Sequence, residues 1–429
     1  MNRRILKLAL PSIVSNITVP LLGLMDIAIV GHLGSTAYIG AIAVAGTLFS
    51  MLYWGFGFLR MGTGGMTAQA YGRRDMKDMA MQFFRALTVG TGISLLLISL
   101  QWPMEAFAFL FIKAGEEVRY WASVYFRICI WGAPAVLGLY VLTGWFIGMQ
   151  NSRFPMFVAI TQNVVNIILS LFFVYICRWG VSGVALGTLM AQWCGLLLGL
   201  CLWYRYYGRL RLLLTWKEVF RIQEMKRFFS VNRDIFGRTL CLIAVTTFFT
   251  AAGSRQGDVA LAVNTLMMQL FTLFSYIMDG FAYAGEALSG RYLGARDRKG
   301  LDASVRLVFR WGILLAMLFT ILYGIGGTAF LSLLTDDRQV LVASEEYFYW
   351  VLCIPFCGFA AFLWDGILIG LTATRQMLLT MVLASATFFL MYYLLSNYWG
   401  NHALWIAFLS YLLLRSLGQW AYYRKANYW

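Results

Sequence analysis

The chain has 429 residues, 61% of them hydrophobic and only 12% charged. A soluble domain carries about 25% charged residues, so a soluble globular protein is excluded. Collagen-like, coiled-coil and disordered chains go with it, because there are only 6 prolines and apolar sequence runs from end to end. Lys and Arg outnumber Asp and Glu 34 to 19, for a net charge of +15. In a soluble chain that balance suggests nucleic acid; in a membrane chain it suggests Lys and Arg gathered on the cytoplasmic side.

A membrane-spanning helix needs ~20 apolar residues, and twelve segments qualify. The first, 5–31, follows Arg3 and Arg4 and contains Pro11, Pro20 and Asp26. It is too long for a cleavable signal peptide, and Asp26 interrupts it. The second, 38–70, contains Arg60; the third is 79–101; the fourth, 118–148, contains Arg127. Segments 154–177 and 182–204 complete a first half. The basic stretch from Arg205 to Arg233 then reads as a linker that could also touch anionic lipid. The second half holds 228–253 with Arg238, 259–290 with Asp279 and Glu286, 303–326, 345–371 with Asp365, 376–397 and 402–424. Lipid offers the backbone no hydrogen-bond partner, so each segment is read as a helix. A β-barrel would need ~10-residue alternating segments.

Sorting the basic residues by loop places 26 on one side, Arg85 and Arg415 among them, 5 on the other and three (Arg60, Arg127, Arg238) within spans. The expected orientation has both termini in the cytoplasm of a bacterial-type inner membrane. The basic residues trace one membrane face, which removes the case for nucleic acid.

The halves also match each other at an offset near 222 residues. Gly72-Arg73-Arg74-Asp75 falls on Gly294-Ala295-Arg296-Asp297, and Gly144, Gly148 and Arg153 fall on Gly366, Gly370 and Arg375. Pro134 pairs with Pro355 at an offset one smaller, and Leu48-Phe49 with Leu270-Phe271. The expected fold is an all-α integral membrane protein: twelve transmembrane helices in two parallel-repeat six-helix bundles, residues 1–215 and 216–429, around a central cavity.

Charges within spans are costly and usually face a cavity. Asp26 and Asp365 lead, followed by Asp279 and Glu286; the alternative for each is a structural ion pair. Pro20 frees the Asn16 carbonyl, so the first helix is expected to bend near Asp26, with Pro11 as a second bending point. Burial favours the neutral form of a carboxyl, which suits Asp26 to proton exchange. Arg60 either pairs with an acid or faces a substrate with negative charge. His32 and His402 sit at outer span ends and read as interfacial. Of the seven cysteines, Cys353 and Cys357 lie one turn apart with no His nearby and read as core residues rather than metal ligands. The aromatic residues are expected mostly at the lipid and interface. No phosphate loop, zinc pattern or clustered catalytic set appears, so neither an enzyme nor an ATP-driven pump is expected, and no cofactor.

Four segments carry a family resemblance. The first reads Leu10-Pro11, then Ser15-Asn16-Ile17-Thr18-Val19-Pro20, Asp26 and Gly31-His32-Leu33. The second ends Phe58-Leu59-Arg60-Met61-Gly62-Thr63-Gly64-Gly65, then Ala68-Gln69. The eighth holds Asp279-Gly280-Phe281-Ala282-Tyr283-Ala284-Gly285-Glu286-Ala287, and the tenth Leu363-Trp364-Asp365-Gly366 with Gly370. Over essentially its whole length the chain resembles the DinF branch of the multidrug and toxic compound extrusion (MATE) transporters. The resemblance implies cation-coupled antiport that exports varied, often cationic or amphiphilic compounds. It implies that Asp26 is the family's first-helix acid, that Asn166 and Ser170 match an Asn and an Asp one helical turn apart, and that Thr188 matches a neighbouring hydroxyl, all converging on Asp26. Position 170 departs from the pattern, being Ser. One carboxylate suits a proton better than sodium, so proton coupling is expected. At the position matching Asp26 the second half has Phe248, so the halves are not chemically equivalent.

The expected mechanism is a monomeric drug/proton antiporter alternating between outward-open and inward-open states, with small organic molecules and the lipid bilayer as its only partners. Its rivals are export of citrate- or bile-acid-like organic anions through Arg60, sodium-coupled antiport, and flipping of lipid-linked oligosaccharide.

Overall fold

The computed structural model describes residues 1–31, 35–111, 115–327, 329–332, 334–335 and 337–426. Every regular element among them is helical. In chain order these are α1 (Asn2–Gly31), α2 (Thr36–Gly55), α3 (Phe58–Arg73), α4 (Met76–Ser99), α5 (Gln101–Phe111), α6 (Glu116–Cys129), α7 (Ala133–Gly148), α8 (Arg153–Leu171) and α9 (Gly180–Tyr207). They continue with α10 (Trp216–Val219), α11 (Ile222–Ser254), α12 (Asp258–Gly294), α13 (Arg298–Gly326), α14 (Ala329–Ser332), α15 (Arg338–Gly370), α16 (Thr374–Trp399) and α17 (Asn401–Lys425). Among the described residues, eleven helical segments are long and apolar enough to cross a membrane. The twelfth candidate, α17, has 25 residues, ~37 Å at 1.5 Å per residue, but it carries Arg415, Gln419, Arg424 and Lys425.

The sequence spans differ from these elements where glycine or proline interrupts them. Span 38–70 is two helices, α2 and α3, separated by a turn at Phe56–Gly57. Span 118–148 is also divided: α6 passes through a 3-10 turn, Ile130–Gly132, into α7. Pro134 sits in the first turn of α7, where its missing N–H leaves no carbonyl unsatisfied. Its counterpart Pro355 lies inside the unbroken α15. The short helices α5 and α10 were not expected.

By internal contacts the chain divides into two compact units. One is Val14–Phe229; the other is Ser230–Trp429 together with Met1–Ile13. The repeat is written in the backbone of both. Arg74 and Arg296 share a left-handed φ (59° and 54°), as do Gln150 and Thr372 (64° and 53°), each pair 222 residues apart. Asp75 caps α4 by accepting from the Asp78 N–H, and Asp297 caps α13 by accepting from Gly300 N–H.

The same offset governs the tightest helix crossings. A Cβ at Gly144 would overlap the Arg60 carbonyl, and one at Gly366 the Ala282 carbonyl. Gly148 meets the Gly64 carbonyl, and Gly370 the Glu286 carbonyl. Small residues let α3 pack on α7, and α12 on α15, backbone against backbone.

Some aromatic residues fill the interior, while many others, Trp54, Trp131, Tyr398 and Trp399 among them, are exposed. Trp145, Trp405, Phe83, Phe274 and Phe388 are fully buried. Phe83 stacks on Trp203 at 4.6 Å, and Trp145 donates its indole N–H to the Met79 carbonyl at 2.9 Å. Cys353 departs from its reading as a core residue: it is exposed, and Cys357 is only partly buried. On a membrane helix the outer face is as apolar as the core, so apolar context alone cannot place a thiol inside.

Candidate functional site

In the Val14–Phe229 unit one buried carboxylate stands at the centre of a polar cluster. Asp26 on α1 is only 2% exposed. Its Oδ2 accepts a hydrogen bond from the Thr188 hydroxyl on α9 at 3.1 Å and a longer one from the Tyr125 hydroxyl on α6 at 3.5 Å. Asn166 on α8 donates its amide to Thr188 Oγ1 at 2.9 Å. The Thr188 hydroxyl is thereby fixed in direction: it receives from Asn166 and gives to Asp26. Three oxygens here, Asp26 Oδ1, Asn166 Oδ1 and Ser170 Oγ, are buried with no hydrogen-bond partner among the described residues. Among the described residues, every donor to Asp26 is neutral.

The local sequence explains the convergence. Asn166 and Ser170 are one turn apart and both fully buried on α8. Gly183, Gly187 and Gly195 place the α9 backbone against Phe173, Ser170 and Gln162 of that helix and its extension. Thr188 follows Gly187 directly, so the crossing that admits no side chain delivers the hydroxyl. Immediately after Ser170 the helix widens into a π-helical turn, Phe172–Ile176, a form found often at functional sites. Within α1, which runs unbroken through Pro11 and Pro20, side chains supplement the backbone: Ser12 donates to the Leu8 carbonyl, Thr18 to that of Ser15, and Asn163 from α8 to that of Thr18. The unit boundary, between Ile13 and Val14, falls between the two prolines.

The other candidates lie elsewhere. Arg60 is buried in the first turn of α3, where its carbonyl meets Gly144. Asp279, half-buried, and Glu286, fully buried, belong to α12 in the other unit. Asp365 on α15 is an ion-pair hub. Its Oδ2 accepts from the Nε of Arg238 on α11 at 2.9 Å, from that residue's Nη2 and from Nη2 of Arg415 on α17, while Oδ1 accepts from Gln419 at 2.7 Å. Arg415 is not a loop charge, because its guanidinium is buried against Asp365. Arg85 is buried as well, donating to the Val219 and Glu218 carbonyls. Arg127 is not a buried partner. Its side chain is 50% exposed, grips Glu105 with two hydrogen bonds of 2.9 and 3.1 Å, and lies over the Trp102 ring. His402 receives the Trp350 indole N–H on Nδ1 at 3.0 Å and has Glu346 3.2 Å from Nε2. His32 lies outside the described residues.

Sequence reading missed Tyr125 and the Glu105–Arg127 pair. The available signal was helical spacing: Ala122, Tyr125, Phe126 and Cys129 fall at i, i+3, i+4 and i+7 on one face of α6, opposite its charged positions, and that face is the buried one.

The comparisons with known proteins agree with this architecture. The MatE family model matches residues 11–172 and 235–413. The DNA damage-inducible protein F of Escherichia coli is 38% identical over 425 residues, covering 97% of this chain and 91% of that protein. A probable multidrug resistance protein NorM of Rhizobium meliloti is 23% identical over 79% of this chain and 73% of its own length. The crystal structure of the Vibrio cholerae MATE transporter VcmN in the bent form superposes with a TM-score of 0.86 at 17% identity, covering 99% of this chain and 96% of that one. The chain belongs to the MatE family, multi-pass membrane efflux transporters of small molecules rather than enzymes.

Proposed function

We propose that this transporter exports cationic or amphiphilic organic compounds in exchange for protons, with Asp26 as the proton-binding group and both termini in the cytoplasm. The observation that carries the reading is the contrast between two buried carboxylates. Asp365 is held by two guanidinium groups, so its charge is already answered within the protein. Asp26 has only neutral donors. A buried charge without a counter-ion is costly, and binding a proton removes that cost. The stability of the site thus depends on its own proton occupancy, as a coupling site requires. Protonation from outside would release Thr188 and Tyr125 from a charged acceptor, allow α1 to repack and discharge the substrate; the proton would leave in the inward-open state. The cycle turns only if substrate and proton bind the two states unequally. The exposed basic turns around Arg73–Lys77 and Arg296–Lys299 support the orientation.

Sodium coupling is the second reading, favoured by the three unpartnered oxygens on Asp26, Asn166 and Ser170. Against it, a hard cation calls for a cage of oxygen ligands, and Ser170 supplies no second negative charge. Proteoliposomes separate the two. Under an imposed pH gradient Asp26→Asn should lose dye efflux while retaining its circular dichroism. Efflux driven by a sodium gradient at clamped pH would reject the proton.

A further inference from the structure

The segment joining α9 to α11 has two faces of opposite character. Its inner face is bolted to the Val14–Phe229 unit. Leu210 and Val219 are buried, the buried Arg85 donates to the Glu218 and Val219 carbonyls at 3.1 Å each, and Lys77 pairs with Glu218 at 2.5 Å. A loose linker would need none of these contacts. Its outer face is held away from the protein. Leu212 is 78% exposed, Ile222 69%, and the Trp216 and Phe220 rings, both more than half exposed, stack at 6.1 Å. Among these apolar groups stand seven Lys and Arg between Arg205 and Arg227, all exposed, against two acids, Glu218 and Glu224. One of those acids is already taken by Lys77.

We propose that this outer face is a docking surface for anionic phospholipid. Leu212, Trp216 and Phe220 would enter the boundary between headgroups and acyl chains, and Arg209, Arg211, Lys217 and Arg221 would take the headgroup phosphates. Three observations favour lipid as the occupant. The segment connects two spanning helices, so it lies where headgroups are. Its apolar and basic groups are interleaved along the same stretch, the combination of two weak signals that holds a surface element on an anionic membrane. Its backbone is fixed from behind, so the side chains are presented without loss of chain entropy on docking. The proposal does not depend on which ion drives transport.

The test is native mass spectrometry of the full chain released from nanodiscs of mixed phosphatidylcholine and phosphatidylglycerol. The wild type should retain phosphatidylglycerol selectively, and R209Q/R211Q/K217Q/R221Q should lower that selectivity at least about tenfold without changing retention of phosphatidylcholine. The corresponding quadruple Lys/Arg exchange, which keeps the charge, should preserve it and shows that the fold survives substitution there. Unchanged selectivity in the glutamine variant, or an equal loss of both lipids, overturns the proposal. So does displacement of phosphatidylglycerol by inorganic phosphate, which would mean a free-anion site, or a change in oligomeric mass with lipid retention unaltered, which would mean a protein partner.

Discussion

The positions that build the Asp26 cluster have counterparts 222 residues later, where the hydroxyls of Thr188 and Tyr125 are kept as Ser410 and Tyr347 but the carboxylate is lost. Phe248 stands for Asp26, Phe388 for Asn166 and Tyr392 for Ser170. They still meet: the Phe248 ring lies 5.9 Å from Phe388 and 5.2 Å from Tyr392. The reverse holds for the second polar cluster, because the counterparts of Asp365 and Arg238 are the neutral Thr143 and Asn16. The repeat has preserved which positions touch and has let their content diverge. One unit holds a carboxylate, Asp26, whose donors among the described residues are all neutral. The other fills that place with aromatic rings and puts its carboxylate between two arginines.

The largest expected effect tests whether the chemistry sits on one side only. Asp26→Asn should lower pH-driven efflux at least ~100-fold, about 2.7 kcal/mol of barrier, in proteoliposome assays; wild-type rates would dissolve the comparison. Next comes the hub. Asp365→Leu leaves Arg238 and Arg415 buried without their carboxylate, a loss of about 3–5 kcal/mol that should appear as a lower unfolding temperature in detergent. Adding Arg238→Met should return part of it. The shared scaffold is tested by matched substitutions. Gly144→Val and Gly366→Val each insert a side chain where two backbones meet, and each should cost about 1–3 kcal/mol, by similar amounts, in the same thermal measurement. A large effect in one half alone would mean that the crossings are not equivalent. The smallest effect is expected at Phe248→Leu, where efflux should stay within about twofold of wild type, a barrier change below about 0.5 kcal/mol. A loss rivalling that of Asp26→Asn would bring the second unit into the coupling step.

Much of this was legible in the sequence because membranes simplify the problem. Uninterrupted apolar runs gave the spans, and the spacing of Gly144, Gly148, Gly366 and Gly370 gave the repeat. Asp26 stood out because a carboxylate in an apolar run is expensive wherever it points. Its neighbours did not. Asn166, Ser170 and Thr188 are unremarkable as letters and were reached only through family resemblance, while Tyr125 is one of 23 tyrosines. Long-range partners explain the errors as well. Arg415 was counted with Arg424 and Lys425 by its distance along the chain, whereas its position is set by Asp365, 50 residues upstream. Arg127 falls within an apolar span, and only the unforeseen helix α5, which supplies Glu105 and Trp102, shows that it is held half exposed.

The backbone-on-backbone crossings at Gly144 and Gly366 also limit how the molecule can deform. Side chains at an ordinary helix contact act as springs, since a rotamer change absorbs a small displacement. Where a carbonyl rests on a glycine Cα there is no spring. A displacement of α3 must be passed to α7 undiminished, and one of α12 to α15. These pairs are stiff linkages: each moves as one body, and any bending within a unit has to be taken up elsewhere along its helices.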